Sequence, residues 1–249
     1  MARDTEHALS FGRNVGDYDS GRPSYPPAAI DWMLTETGRV RPVSRMVDVG
    51  AGTGKFTAGL LGRGLQLTAV EPDAAMRQRL AENSPSVTVL EGTGERLPLP
   101  DASADLVTFA QAWHWVDVSA TSGEVARVLT PGGALALVWN IRDEAVDWVR
   151  RLGEVMGSSA AELYDSVTPP VGAPLERQAH AQFEWVNDMT RPQLLAMVAS
   201  RSYVITMAEA HRAAMFERLG ELLDTHPELA GRTSYPVPYL TRVTIARVV

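Results

Sequence analysis

From residue 45 onward the chain alternates short apolar runs with amphipathic stretches. The run Met46-Val47-Asp48-Val49 stops at a glycine, as a buried strand does. Further apolar runs at 65–70, 86–90, 105–109 and 134–139 predict four more strands. The turn Pro131-Gly132-Gly133 precedes the last of them. Residues 56–61, 74–83 and 119–129 carry helical spacing, and 28–37 places Ile30, Met33 and Leu34 on one helical face. Strands alternating with helices predict βαβ units and a parallel sheet. Right-handed crossovers then make the sheet doubly wound, the Rossmann-like α/β arrangement.

The pattern changes after Asn140. Residues 147–225 are mostly helix-like, clearest at 191–202 and 208–223. A proline-rich loop at 168–174 and a short strand at 182–186 interrupt them. Residues 239–249 alternate β-branched positions and read as a strand returning to the main sheet. The expected division is an N-terminal segment and helix (1–37), a Rossmann-like core (38–145), a helical insertion capping the ligand cleft (146–235) and the final strand (236–249).

Composition narrows the function. The chain has 249 residues and a net charge of −7, which argues against a partner met along a phosphate backbone. It has no cysteine, so disulfides, thiolate metal sites and cysteine nucleophiles are excluded. Its five histidines show no spacing that suggests a metal site. The polar N-terminus does not read as a signal peptide, and no run of about 18 apolar residues is present. The expectation is a cytoplasmic protein, monomer or homodimer, with no membrane or nucleic-acid partner and no metal.

In an open α/β sheet, ligands bind outside the carboxyl ends of the strands. The loop Gly50-Ala51-Gly52-Thr53-Gly54 follows the first strand and is the obvious candidate. A phosphate-cradling loop needs Gly-Lys followed by Ser or Thr, but Phe56 follows Gly54-Lys55. A dinucleotide fingerprint needs a glycine where Lys55 stands. Glu71 ends the second strand, 19 residues beyond Gly52, where an acid accepts ribose hydroxyls. The alternative is a solvated carboxylate opening the turn Glu71-Pro72-Asp73. After the third strand, Gly92-Thr93-Gly94-Glu95 offers amides and a carboxylate for an adenine edge; alone it is an ordinary turn.

The run VDVGAGTGKF…AVEPDAAM…VLEGTGERLPLPDASADLV…EVARVLTPGGALALVWN resembles the class I S-adenosylmethionine-dependent methyltransferases. With FGRNVGDYDSGRPSYP, AQAWHWVD, WNIRD and SRSY, most of the chain is similar to the trans-aconitate-methyltransferase-like group of small-molecule enzymes. The resemblance implies a seven-stranded, mostly parallel sheet with an antiparallel last strand. It implies S-adenosyl-L-methionine as cofactor and S-adenosyl-L-homocysteine as product. Asp48, Gly50, Ala51, Gly52 and Gly54 would cradle the methionine part, and Glu71 with Pro72 would hold the ribose. Met76 would pack near the adenine, with Thr93, Gly94 and Glu95 along its edge. Ala110 and Gln111 would face the reacting methyl. Tyr18, Arg22 and Tyr25 would belong to a lid over the cofactor, Arg22 meeting a carboxylate and Tyr25 reaching the substrate. Gly94 departs from the family's more usual alanine.

The acceptor must arrive beside the fourth strand, where Trp113-His114-Trp115 stands. His114 is a candidate general base, since its free pKa lies near neutrality, or a packed histidine that shapes the loop. The tryptophans are an aromatic wall or core. Trp139 is placed to floor a pocket, and Arg142, Arg201 and Tyr203 are candidates for an acidic substrate or ordinary helix-face residues. The resulting expectation is methyl transfer to oxygen or nitrogen of a small molecule. A nucleic-acid or protein methyltransferase, or a silent cofactor-binding protein, is the alternative.

Overall fold

The computed structural model describes residues 22–157, 164 and 166–249. Among them the elements run α1 (Pro27–Gly38), β1 (Arg45–Val49), α2 (Lys55–Leu60), β2 (Gln66–Val70), α3 (Ala74–Asn83), β3 (Thr88–Leu90), β4 (Ala104–Ala110), α4 (Val118–Val128) and β5 (Leu129–Arg142). They continue as α5 (Asp147–Met156), β6 (Leu175–Thr190), α6 (Arg191–Ala199), α7 (Ser202–Ile205), α8 (Glu209–Thr225) and β7 (Ser234–Val248). The seven strands form one sheet in the order β3-β2-β1-β4-β5-β7-β6, and the last strand is antiparallel. The parallel part keeps simple register: Val49 lies beside Val70, and Asp48 beside Thr108. The strand order reverses between β1 and β4, so the carboxyl ends of those two strands form the switch point where such sheets bind ligands.

Four stretches differ from the sequence expectation. The strand expected at 182–186 is β6, which runs from Leu175 to Thr190. Its inward positions include Ala179 and Ala181, whose small size hides the alternation. The stretch after residue 146 is therefore not wholly helical. β7 starts at Ser234, before the expected residue 239, and carries Pro236 and Pro238, which hid its first residues because proline argues against a strand. Pro131-Gly132-Gly133 is an irregularity within β5: the β4 register moves from Ala104–Leu129 to Leu106–Ala134. The helix expected at 191–202 ends at Ala199, and α7 follows it.

Contacts divide the chain into two compact units. One comprises 24–140, 164–183 and 241–249. Its core joins Met46, Leu106, Ala136 and Val138 of the sheet to Ile30, Met33, Phe56, Leu60 and Leu80 of α1, α2 and α3. The entry to β4 is fixed by Asp105, whose carboxylate accepts from Arg41 Nε, Ser44 N and Oγ, Arg45 N and Nη2, and Thr130 Oγ1. Those donors hold the Asp105 carboxyl well below its ordinary range, against the cost of burial. The described residues of the other unit are 22–23, 141–157 and 184–240. There α5, α6 and α8 pack Trp148, Leu152, Leu194, Val198, Leu219 and Leu223 against Tyr235, Val237 and Tyr239.

Candidate active site

The loop after β1 is built by three left-handed residues. Gly50, Gly52 and Gly54 have φ of 66°, 57° and 88°, a conformation that side chains rarely adopt. At Gly50 space is as strict as torsion, since a Cβ would lie 2.6 Å from the Cβ of Ala112. The loop is tied to β2 by Gly50 N donating to Val70 O at 2.8 Å, and it closes into α2 through Gly54 N on Ala51 O. Gly52 N donates to Glu71 Oε2 at 2.8 Å, and Asp73 N to Glu71 Oε1 at 3.0 Å. Glu71 is 7% exposed, and burial pushes its carboxyl up despite the two amide donors. The carboxylate expected for the ribose and the glycine loop thus form one hydrogen-bonded unit.

Asp48 sits beneath that loop. It is 2% exposed, with Oδ2 accepting from Thr57 Oγ1 at 2.6 Å and Oδ1 from Thr108 Oγ1 at 3.2 Å. Burial raises its pKa from the ordinary 3.8 to about 7, against both hydroxyl donors and with the nearby Glu71 charge adding to the rise. The carboxylate braces β1, α2 and β4 against one another. Asp73 caps α3 by accepting from Met76 N, which fixes the buried Met76 at the first turn of that helix. Arg77 donates to Glu71 O and Pro72 O and pairs with Glu91, so it holds the turn that presents Glu71.

Thr93 pairs with Arg96 across a tight turn. Gly94 is buried, and an added Cβ would lie 3.0 Å from both Thr121 and Val116 and 3.1 Å from Phe109. The glycine in place of the family's usual alanine is thus matched to its neighbours. Glu95 Oε1 accepts from the backbone N–H of Asp117 at 2.9 Å, and Asp117 in turn caps α4 by accepting from Ala120 N.

Beyond Ala110, Gln111 takes φ 57°, a left-handed conformation costly for a residue with a side chain. Its amide donates to Val138 O, and its Nε2 to Asn140 O at 2.7 Å. Its Oε1 is buried with no hydrogen-bond partner among the described residues. Trp113 is fully buried, meets Phe109 edge-on at 4.8 Å and donates its indole N–H to Pro170 O. Those surroundings are the ones expected of a core tryptophan, one of the two readings the sequence left open. His114 is half-buried in the turn Trp113–Trp115, with its ring 4.8 Å from Trp115 and 6.1 Å from Tyr164. Trp139 stacks on Tyr164 at 5.4 Å, and its Nε1 is buried with no partner among the described residues.

Tyr25 packs edge-on against Phe56 at 4.9 Å, directly behind the glycine loop. Tyr18 lies outside the described residues. Arg22, Arg142, Arg201 and Tyr203 belong to the helical unit. There Arg22 Nη2 donates to Ser200 O, Arg201 is 9% exposed with Nη2 3.8 Å from Met197 Sδ, Arg142 is 3% exposed, and Tyr203 donates to Gly157 O. Among the described residues, no group of His, Asp and Glu is arranged to hold a metal ion, and no helix is long and apolar enough to cross a membrane.

Sequence reasoning missed Thr57, Thr108, Arg77 and Asn140. Thr108 becomes visible only once β1 and β4 are known to be neighbours.

A glycine loop on the switch point, joined to a buried acid at the end of β2, sits where open α/β sheets bind ligands. A methyltransferase-domain family matches residues 47–137. An uncharacterized methyltransferase of Mycobacterium tuberculosis is 48% identical, over 96% of this chain and 97% of its own length. Malonyl-[acyl-carrier protein] O-methyltransferase of Serratia marcescens is 30% identical over 51% of this chain and 50% of its own. A solved structure from Anaeromyxobacter dehalogenans, described as a candidate type II methyltransferase, shares the fold with a TM-score of 0.68 at 24% identity, covering 91% of this chain and 97% of that one. The chain belongs to the class I S-adenosylmethionine-dependent methyltransferases.

Proposed function

We propose that this methyltransferase binds S-adenosyl-L-methionine and transfers its methyl group to an oxygen or nitrogen of a small molecule. The observation that carries the cofactor reading is the Glu71–Gly52 bond: an acid fixed to the glycine loop at the end of β2. The residues suit the group. The loop at Gly50, Ala51, Gly52 and Gly54 leaves no room for a Cβ at its first position. Glu71 and Pro72 would hold the ribose, and the buried Met76 would pack near the adenine. Thr93 and Gly94 would line its edge. Ala110 and Gln111 end β4, and the buried Gln111 Oε1 suits a ligand ammonium.

When bound, S-adenosylmethionine supplies an electrophilic sulfonium methyl for in-line displacement. The chain's own contribution is to hold the donor, position the acceptor and exclude water. Trp139 and His114, with Tyr164, are the side chains this unit offers the acceptor. Tyr25 completes the candidates of this unit. The acidic balance favours a small acceptor over nucleic acid. The Serratia relative supports oxygen as the atom methylated.

Isothermal titration tests the reading. Wild-type protein should bind S-adenosylhomocysteine, and Glu71→Ala should weaken that binding by about 1–3 kcal/mol, the cost of hydrogen bonds lost from a charged group. No binding by wild type sinks the cofactor reading. Equal binding by both proteins removes Glu71 from the ribose.

A further inference from the structure

Asn140 is not among the residues the sequence pointed to, yet it gathers three otherwise distant segments. It is 7% exposed near the carboxyl end of β5. Its backbone oxygen accepts from Gln111 Nε2 at 2.7 Å, which holds the strained residue after β4. Its Oδ1 accepts from Thr241 Oγ1 of β7 at 2.6 Å. Its Nδ2 donates to Ser24 O at 2.9 Å, in the segment that leads into α1. The next residue, Tyr25, sets its ring on Phe56 in the first turn of α2, immediately after the glycine loop. Residues 24 and 25 are therefore pinned at two places: at β5, and at the helix after β1. In the sheet, β4 and the end that bears Gln111 lie between β1 and β5.

We infer that Asn140 is a positioning residue for cofactor retention, its amide latching the Ser24–Tyr25 strap across the carboxyl ends of β1, β4 and β5. This rests on the cofactor reading above. The three hydrogen bonds have separable roles. The Thr241 bond ties the amide oxygen to β7. The Gln111 bond sets the wall after β4 through a backbone oxygen that no side-chain change removes. The Nδ2 bond alone reaches the strap. An aspartate at 140 keeps the shape and the acceptor for Thr241, but has no donor for Ser24 O. Thr241→Val removes the sheet bond and leaves the donor to Ser24.

The experiment compares wild type, Asn140→Asp, Thr241→Val and Glu71→Ala by S-adenosylhomocysteine titration and by hydrogen exchange of peptides covering residues 24–34 and 55–60. Asn140→Asp should raise the dissociation constant about tenfold, the equilibrium equivalent of one hydrogen bond to the strap. It should also speed exchange in 24–34 while leaving 55–60 as in wild type. Thr241→Val should bind close to wild type. Asn140→Asp binding as wild type, or Thr241→Val losing as much, overturns the latch. Either result with Glu71→Ala still impaired leaves the cofactor reading standing. If wild type does not bind, the cofactor reading and the retention role fall together. If Asn140→Asp does not fold, wild type alone decides: added S-adenosylhomocysteine should slow exchange in 24–34, and unchanged exchange there refutes the latch.

Discussion

Replacing Asp48 by asparagine should change how stability responds to pH. The carboxyl is buried under the glycine loop and its pKa stands at about 7, against 3.8 ordinarily. Between those values the folded protein holds a proton that the unfolded chain has released. Stability contributed by Asp48 is therefore full below about pH 4, declines as pH rises towards 7, and is level above. At 1.36 kcal/mol per unit, the whole interval is worth about 4 kcal/mol, and the part crossed between pH 5 and pH 8 about 3 kcal/mol. Asparagine has nearly the same shape. Its oxygen can accept from one threonine, and its amide can donate to the other. It carries no titrating proton. Guanidinium unfolding of both proteins at pH 5 and pH 8 gives the difference in stability at each pH, in which other titrating groups largely cancel. Asp48→Asn should gain about 3 kcal/mol relative to wild type on going from pH 5 to pH 8. A difference that is the same at both pH values refutes the buried, proton-holding carboxyl.

Asp105 is the opposite case. Its carboxyl is held below its ordinary range, so its contribution is present above about pH 4 and is lost only as pH falls through the folded pKa. Asp105→Asn should cost about 3 kcal/mol in the same unfolding assay, equally at pH 5 and pH 8; a loss under about 1 kcal/mol would mean the donors around it find other partners. His114 stands between the Trp115 and Tyr164 rings, and His114→Asn should leave the pH profile of turnover unchanged, followed as S-adenosylhomocysteine released with a panel of acceptors. Loss of the acidic limb in that variant would make His114 a general base.

The donor half of the site was legible because it is written in local backbone chemistry. Glycines that must take positive φ, a strand that stops at them and an acid ending the next strand each show within a few residues. The sheet then brings them together in the one way its handedness allows. β6 and the start of β7 were less legible for a physical reason. Alanine and proline obscure strand alternation, and both segments take their strand character from neighbours in the sheet. Trp113 was left as wall or core because a loop tryptophan beside a histidine looks the same in sequence whether it faces a ligand or Pro170.

The contacts around Asn140 fail to show for a different reason. They join residues far apart in the chain: Gln111 to Asn140 across 29 positions, Thr241 to Asn140 across 101, and Asn140 to Ser24 across 116. No local spacing encodes such contacts. Each depends on strand order, and each involves a residue type common in ordinary turns and strands. The donor is the same molecule for every enzyme of this class, so its contacts can sit on fixed strand ends and a short glycine loop. An acceptor differs from one enzyme to the next. Residues that shape its side of the site can therefore come from any segment the fold happens to bring close. Asn140 shows how the two halves meet: its backbone oxygen holds the residue expected beside the reacting methyl, and its side-chain amide holds the strap that runs to the helix after the glycine loop. A change at that one position should be felt on the donor side, although Asn140 belongs to none of the motifs that identify the donor.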